Sequence, residues 1–212
     1  MGRAGMPGGS SAELRRASAA DLPALARMLS RAFADDPVTA WSSPPEAPRA
    51  RMLERFHAAR LRHLLPHGEV WMTAGAESAA LWAPPDAWKT TLREDLELTA
   101  CMLAPRIAWR LPLIGRGLLG IERAHPSKPP HWYLATLGTD PAAQGRGLGT
   151  AVLEPVLSQC DQDGVAAYLE SSKARNVDYY ARFGFRTTAT LRLPRGPEMW
   201  PMWRDPLSAT AA

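Results

Sequence analysis

The chain has 212 residues, of which 46% are hydrophobic and 22% charged, so its composition is that of a globular protein of one domain or at most one and a half. Its net charge is +4 and its pI is near 9.4, and nearly all of the positive charge is arginine. This excess fits a nucleic-acid surface, a site for an anionic ligand or a coding bias, but no basic run is dense enough to favour the first. No apolar run approaches the roughly 18 residues of a membrane span.

The first eleven residues are rich in Gly, Ser and Pro and lack the apolar stretch of a secretory signal, and Met6 does not fit a myristoylation motif. We therefore expect a disordered tail over 1–11, a single domain over 12–212 and a cytoplasmic location. Cys101 and Cys160 lie far apart and the histidines are scattered, so the sequence predicts no metal site.

The first part of the chain combines strand and helix patterns. Asp21 is a typical N-cap, and Pro37 disfavours the helical conformation of the residue before it, so the first helix should end by Asp36. The predicted elements are a strand at 13–17, a helix from Asp21 to Asp36, a helix at 49–65, and strands at 69–74 and 78–83.

The segment 90–125 has helical periodicity but contains residues that interrupt helices. The expected interruptions are Pro105, Pro112, Gly115, Gly117 and Gly120.

From residue 131 onward, strand and helix patterns alternate. A strand–helix–strand sequence at this spacing forms a right-handed crossover, which makes its two strands parallel. The last two strands, joined through 194–197, suit an antiparallel hairpin, so the sheet should be mixed. The predicted elements are strands at 131–137, 165–170, 184–191 and 198–204, and helices at 147–163 and 176–183.

A glycine-rich segment, 144–150, lies between the strand at 131–137 and the next helix. A helix N-terminus has unpaired backbone N–H groups and about half a positive charge, and glycines let this backbone approach an anion closely. The segment therefore predicts a phosphate-binding loop, the alternative being a loop that only turns the chain. It is not a dinucleotide-binding fingerprint, since Thr150 replaces the last glycine, nor a P-loop, since it has no lysine.

The spacing Gln144-x-x-Gly147-x-Gly149 resembles the acetyl-CoA motif of the GNAT family of N-acetyltransferases. Further segments follow in the order and spacing of that family, and together they look like its puromycin N-acetyltransferase branch. These segments are 134–141, 167–170, 175–177, Tyr179-Tyr180 and 183–185. The resemblance is dense over 131–190 and diffuse elsewhere.

The resemblance implies an α/β (α+β) fold with a central, mixed, splayed β-sheet of about seven strands flanked by helices. It also implies acetyl-CoA as the cosubstrate, whose pantetheine arm would pair with backbone groups of Leu137 and Thr139. Arg146 would contact the nucleotide phosphates or be only a surface side chain, and Asn176 would contact the cofactor or be a helix N-cap. The expected cofactor-binding residues are Leu137, Gly138, Thr139, Gln144, Gly145, Arg146, Gly147, Leu148, Gly149, Thr150 and Asn176.

Two residues are expected to transfer protons. Tyr180 matches the tyrosine that protonates the departing thiolate in this family, and a tyrosine is neutral at pH 7; the alternative is a core aromatic. Glu170 is the candidate general base, directly or through water, and the alternative is a structural or substrate-orienting carboxylate. Tyr179, which directly precedes Tyr180, should point to another side of the helix and pack in the core.

The acceptor side of the site is less defined. Trp82 and Trp88 flank two prolines and could wall an acceptor pocket. Several acidic residues could attract a cationic substrate, although a solvated helix face explains each of them as well. These residues are Asp35, Asp36, Glu94, Asp95 and Glu97.

The predicted function is transfer of an acetyl group from acetyl-CoA to a primary amine of a small molecule, such as an aminonucleoside-like antibiotic, by direct attack in a ternary complex. The alternatives are a protein lysine or N-terminal acetyltransferase and a non-catalytic acetyl-CoA-binding regulatory protein. We expect a monomer or homodimer that has no nucleic-acid or membrane partner.

Overall fold

The structure, a computed structural model, describes residues 13–43, 49–89, 91–102 and 110–207. The predicted tail at 1–11 and the expected interruption at Pro105 lie outside the described residues. The single-domain organisation stays a prediction.

The described residues form helices and strands close to the predicted positions. The helices are α1 (Leu22–Ala32), α2 (Pro37–Ser42), α3 (Arg49–Leu64), α4 (Leu92–Met102), α5 (Leu111–Ala124), α6 (Leu148–Asp163) and α7 (Arg175–Ala181). The strands are β1 (Leu14–Arg16), β2 (Val70–Thr73), β3 (Ser78–Ala83), β4 (His131–Thr139), β5 (Ala166–Ser171), β6 (Arg186–Thr187), β7 (Leu191–Arg192) and β8 (Glu198–Arg204).

The strands form one open mixed sheet of eight strands, against about seven predicted. Its order is β1-β2-β3-β4-β5-β8-β6, and β7 also pairs with β8. Strands β4 and β5 are parallel, joined by the predicted crossover through α6, and the other described pairs are antiparallel. The predicted fold class is confirmed.

Two local predictions differ from the structure. The strand expected at 184–191 is two short strands, β6 and β7, which pair with different parts of β8. The helix α2 was not predicted. The carboxylate of Asp36 caps it, accepting from the amides of Val38 (2.9 Å) and Thr39 (3.0 Å), and Pro37 occupies the first helical turn, where no intrahelical N–H bond is lost.

The three glycines expected to interrupt the helix over 111–124 do not interrupt it. Pro112 lies in the first turn of this helix, where proline is well tolerated, so it begins the helix rather than ending it. All three glycines lie inside the helix. A Cβ atom at Gly117 would come within 2.6 Å of the Trp41 ring, so this glycine allows the helix to pack closely against that ring.

The sheet separates two apolar clusters. Because successive side chains of a strand point to opposite faces, Ala80 and Trp82 of β3 face α6, whereas Ala79 and Leu81 face α1 and α3. The sheet is therefore covered on both faces beside β3 and β4.

No helix in the described ranges is both long and apolar enough to cross a bilayer. In the same ranges, no group of three or more potential ligands is placed to hold a metal ion. Cys101 and Cys160 are buried free thiols. The cytoplasmic location stays a prediction.

Arg204 joins β8 to α6 in the interior. It is 2% exposed and donates 2.7 Å hydrogen bonds to the carbonyl of Phe183 and the carboxylate of Asp161. Removing it would leave the buried carbonyl without this donor and the carboxylate without its cation. We expect Arg204→Ala to lower the free energy of unfolding in urea by about 3–5 kcal/mol.

The control is Arg186→Ala, which removes an arginine from an exposed pair with Asp205 (2.6 Å). A surface pair contributes about 0–1 kcal/mol, so this variant should lose no more than that. Equal losses in the two variants would show that burial of Arg204 adds nothing to stability.

Candidate active site

The parallel strands β4 and β5 are paired only where they begin. The pairs run from His131 with Ala166 to Tyr133 with Tyr168, and none follows. Beyond them β4 continues beside β3, and β5 continues beside β8 up to Ser171. The two strands therefore splay apart and leave a gap between their C-terminal halves.

A β-bulge in β4 lies where the gap opens. Leu134 pairs with Trp82 and Thr136 pairs with Leu81, so Ala135 is an extra residue in β4. A bulge of this kind bends the strand that carries it and increases its twist. The bend carries the second half of β4 away from β5.

Backbone groups of β4 face this gap. The Asp140 amide donates to the carbonyl of Glu77 (2.7 Å), just before β3. Because backbone groups alternate in direction along a strand, Gly138 also faces β3, and Leu137 and Thr139 turn their amide and carbonyl groups toward the gap. These two residues are those expected to pair with a pantetheine arm.

The N-terminus of α6 opens beside the gap. Its N-cap is Gly147, at φ +78°, and no side chain caps this end of the helix. Gly145 is also at φ +78°, and a Cβ atom at either glycine would have no heavy atom within 4 Å. The first amides of a helix have no intrahelical partner, so they remain free to bind an anion.

The gap and the helix terminus form one cleft of about 540 Å³. Of the expected cofactor-binding residues, ten line it: Leu137, Gly138, Thr139, Gln144, Gly145, Gly147, Leu148, Gly149, Thr150 and Asn176. Tyr180 and Glu170 line it as well. The residues expected from the family resemblance thus lie together in one cleft, and their binding of a cofactor stays a prediction.

Three of the expected residues have surroundings that the sequence did not define. The Gln144 side chain donates to the Thr139 carbonyl (3.3 Å) and so braces the turn after β4. Asn176 is not a helix N-cap, since Ala174 holds that position in α7. Arg146 is exposed and does not line the cleft.

Tyr180 lies between the cleft and the core. It is 7% exposed and meets the rings of Tyr179 and Phe185 edge-on, at centroid distances of 5.3 and 6.0 Å. Burial raises the pKa of Tyr180, so its hydroxyl remains protonated at neutral pH.

Tyr179 does not face away from the cleft as expected. It lines the same cleft, and its hydroxyl would be 3.0 Å from a Cβ atom at Gly149. That hydroxyl also lies beside the side chain of Thr150. Burial raises the pKa of Tyr179.

Glu170 belongs to a buried polar cluster that the sequence analysis missed. Its side chain is 5% exposed and its Oε1 lies 3.3 Å from Nδ1 of His125, at the end of α5. His125 Nε2 lies 3.1 Å from Nε2 of His131, the first residue of β4. The available signal was the proline-rich segment between these histidines, which neither extends a helix nor pairs as a central strand and so brings the end of α5 to the start of β4.

Four of the five acidic residues expected to attract a cationic substrate are already paired. Asp35 contacts Lys173 (2.5 Å) and Arg175 (3.4 Å). Asp36 is buried and, besides capping α2, accepts from the hydroxyl of Ser172. In α4, Glu94 lies 3.2 Å from His63 and Glu97 lies 2.5 Å from Arg62. These four carboxylates are therefore tied to partners of their own.

Of the two tryptophans expected to wall an acceptor pocket, only Trp88 contacts the buried polar cluster of Glu170, His125 and His131. Trp82 is fully buried in the core beside α6. Trp88 stacks on His125, with ring centroids 3.6 Å apart and planes 18° apart.

The fold and the cleft are those of an α/β protein with a splayed mixed sheet, whose gap faces an uncapped helix terminus. The model of the Acetyltransferase (GNAT) family matches residues 76–185, more than half of the chain. The chain therefore belongs to this family of N-acetyltransferases.

Similar proteins agree with this assignment. An uncharacterised N-acetyltransferase of Schizosaccharomyces pombe is 29% identical over 93% of this chain and 85% of its own length. The structure of histone acetyltransferase HPA2 and related acetyltransferase from Corynebacterium glutamicum has 26% identity and a TM-score of 0.69, covering 95% of this chain and 99% of that one. A Drosophila melanogaster polyamine N-acetyltransferase that forms N-acetylagmatine shares the fold, with a TM-score of 0.61 at 19% identity over 90% of this chain and 97% of its own.

Members of the family use acetyl-CoA. The pyrophosphate of acetyl-CoA fits a helix terminus that no side chain caps and whose glycines face open space. We expect Gly147→Glu to weaken acetyl-CoA binding at least 100-fold by calorimetry, because the new carboxylate would occupy the anion site. The control is Gly164→Glu at the other end of α6, where the glycine also has a positive φ (+67°) and no neighbour within 4 Å. Similar affinities in both variants would argue against anion binding at this terminus.

Proposed function

We propose that the protein transfers an acetyl group from acetyl-CoA to a primary amine of a small molecule, by direct attack in a ternary complex. The observation that carries this proposal is the cleft in which the strand gap, the open helix terminus, Tyr180 and Glu170 meet. A protein that only bound acetyl-CoA would have no need of a protonated tyrosine and a buried carboxylate on two sides of the gap.

Binding of the donor would use backbone groups for the most part. The amides of 145–150 would hold the pyrophosphate, and the exposed Arg146 would add a positive charge beside it. Leu137 and Thr139 would pair with the pantetheine arm along the free edge of β4, as another strand would. Gly138, Gln144 and Asn176 would complete the walls of this half of the cleft.

Acetyl-CoA supplies the thioester carbonyl that the amine attacks and the sulfur that leaves. Tyr180 Oη would donate a proton to that sulfur, since its raised pKa keeps it protonated until the proton is needed. Backbone N–H groups at the opening of the gap would stabilise the developing oxyanion.

Glu170 would take the proton of the acceptor ammonium. An alkylammonium with a pKa near 10 is about one part in a thousand neutral at pH 7, which costs about 4 kcal/mol without a base. Leu169 packs in the same cluster as Tyr180, so Glu170, the next residue of β5, points to the other face of the sheet. The acid and the base would thus reach the reacting groups from opposite faces.

A small acceptor is favoured by the charges around the cleft. A cationic protein tail would be expected to bind an open acidic groove, but Asp35 and Asp36 are held by Lys173, Arg175 and Ser172. Protein acetylation is the second candidate because the Corynebacterium glutamicum relative is described as a histone acetyltransferase and related acetyltransferase. Agmatine belongs in the substrate panel because the Drosophila enzyme acetylates it.

We also propose that the chain is closest to the puromycin N-acetyltransferase branch. The support is the run of α7 and the turn after it, with Arg175-Asn176, Tyr179-Tyr180 and 183–185 in the order of that branch. An aminonucleoside such as puromycin is therefore another member of the panel.

The deciding experiment measures thiol release from acetyl-CoA with a panel of agmatine, arylalkylamines, aminonucleosides and lysine peptides. We expect turnover with at least one small amine. Tyr180→Phe should lower kcat at least tenfold and leave acetyl-CoA affinity nearly unchanged, because it removes only the proton donor. The matched control is Tyr179→Phe, which removes the hydroxyl beside Gly149 and Thr150 and leaves that of Tyr180 in place, so its kcat should fall less.

Equal kcat values for wild type and Tyr180→Phe would remove Tyr180 from the mechanism. Turnover of the peptides alone would favour the protein-acetylating alternative. Binding of acetyl-CoA without turnover of any acceptor would favour a regulatory protein.

A further inference from the structure

Three buried side chains form a continuous chain of polar contacts that leads away from the cleft. Glu170 Oε1 lies 3.3 Å from His125 Nδ1, and His125 Nε2 lies 3.1 Å from His131 Nε2. His131 Nδ1 lies 2.8 Å from the carbonyl oxygen of Pro129. The side chains of His125 and Glu170 are 3% and 5% exposed, so their polar atoms need partners within the protein.

The Pro129 carbonyl determines which nitrogen donates and which accepts at each contact of this chain. A carbonyl oxygen only accepts, so His131 Nδ1 carries a hydrogen. In a neutral His131 the other nitrogen, Nε2, is then an acceptor, and His125 must present N–H at its Nε2. In a neutral His125 the remaining Nδ1 is a lone pair, and it faces the Glu170 carboxylate, which also only accepts.

When both rings are neutral and Glu170 is ionised, His125 Nδ1 and Glu170 Oε1 are therefore both acceptors, and no hydrogen lies between them. This contact is also the longest of the three, at 3.3 Å against 3.1 and 2.8 Å. One added proton completes the chain. It can lie on Glu170, on His125 or, after a second transfer, on His131, and every contact then has one hydrogen.

We propose that Glu170, His125 and His131 act together as one proton acceptor, in which a proton taken up by Glu170 passes through His125 to His131. This inference rests on the proposed acetyl transfer, since it concerns the base of that reaction. His125 and His131 do not reach the acceptor themselves and are positioning residues. His125 places an acceptor nitrogen opposite the Glu170 carboxylate, and the two rings can take over a proton that Glu170 has bound.

The transfer needs no other reactant. An N–H bond of the acceptor ammonium breaks and an O–H bond forms at Glu170, whose terminal carboxyl can rotate toward His125. That O–H bond breaks as Nδ1–H forms on His125, and Nε2–H of His125 breaks as Nε2–H forms on His131. The amine becomes neutral, Glu170 is again a carboxylate, and the positive charge lies on His131.

The titratable groups around the chain do not compete for this proton. Tyr133 and Tyr168 meet the His125 ring edge-on at 4.7 and 4.6 Å. Burial raises the pKa of both tyrosines, and the charge of Glu170 and hydrogen bonding to its side chain raise it further, so both hydroxyls stay protonated. The charge of Arg60 and its hydrogen bond to Tyr133 oppose this rise in the pKa of Tyr133.

His131 itself is kept neutral at rest. Burial lowers the pKa of His131, the Pro129 carbonyl and the charges of Asp86 and Glu170 oppose that shift, and His125 adds to it. A neutral ring presents Nε2 as a hydrogen-bond acceptor at rest, as the chain requires.

The first test reads the rings directly by ¹⁵N NMR of the full-length protein without acceptor, with signals assigned from His125→Gln and His131→Asn. His131 should keep N–H at Nδ1 throughout a pH titration, and His125 Nδ1 and His131 Nε2 should change at one common midpoint. Glu170→Gln, whose amide can donate to Nδ1 of His125, should move that midpoint at least one pH unit lower. Different pH midpoints for the two rings, or a common midpoint that Glu170→Gln does not move, would overturn the proposal.

The second test uses the pH dependence of kcat/KM with whichever amine the panel identifies. His125→Gln gives Glu170 a permanent N–H donor, which stabilises its carboxylate, and blocks onward transfer. The acidic limb should move at least one pH unit lower and kcat on the plateau should fall at least tenfold. His67→Gln, on an exposed residue outside the cleft, should change neither.

A fall in kcat by the same factor at every pH would reduce His125 to a structural residue and overturn the inference. The NMR result does not require turnover, so it decides the proton chain even if no amine is acetylated. Loss of the proposed function and loss of the proton chain are therefore distinguishable.

Discussion

The early end of pairing between β4 and β5 is the constraint on which the rest of the site depends. Each strand keeps its outer neighbour, β3 for β4 and β8 for β5, so the sheet remains held together while the inner edges separate. Backbone groups along such edges need partners other than a strand. An extended ligand with amide groups of its own satisfies them, which is the reason that a splayed sheet suits a pantetheine arm.

Chain connectivity brings the N-terminus of α6, the proposed anion site, to the same place. In a right-handed crossover the helix that follows a parallel strand begins at the C-terminal edge of the sheet, so α6 starts where β4 and β5 have separated. Glycines at 145 and 147 hold a left-handed conformation that other residues adopt only with strain, and they leave the helix terminus open. The strand gap and the helix terminus are thus consequences of one supersecondary unit.

The two faces of the sheet give the cleft two chemical environments. On the α6 face, Tyr180 is surrounded by aromatic and aliphatic side chains, which keep its hydroxyl protonated. On the opposite face, Glu170 contacts His125, and the His125 ring packs against Trp88, Tyr133 and Tyr168. The proposed proton donor and the proposed proton acceptor can therefore lie in one cleft without neutralising each other.

The sequence by itself determined the elements whose signals are local. Alternation of apolar residues predicted the strands, and the glycines at 145–149 predicted the phosphate loop and, through the family resemblance, the cleft residues, because such signals depend on neighbours along the chain. Only the tertiary structure decided that Gly117 packs inside a helix, that Tyr179 reaches the cleft, and that His125 and His131 meet Glu170. These contacts join residues that are distant in sequence or set by side-chain direction, so no local pattern encodes them.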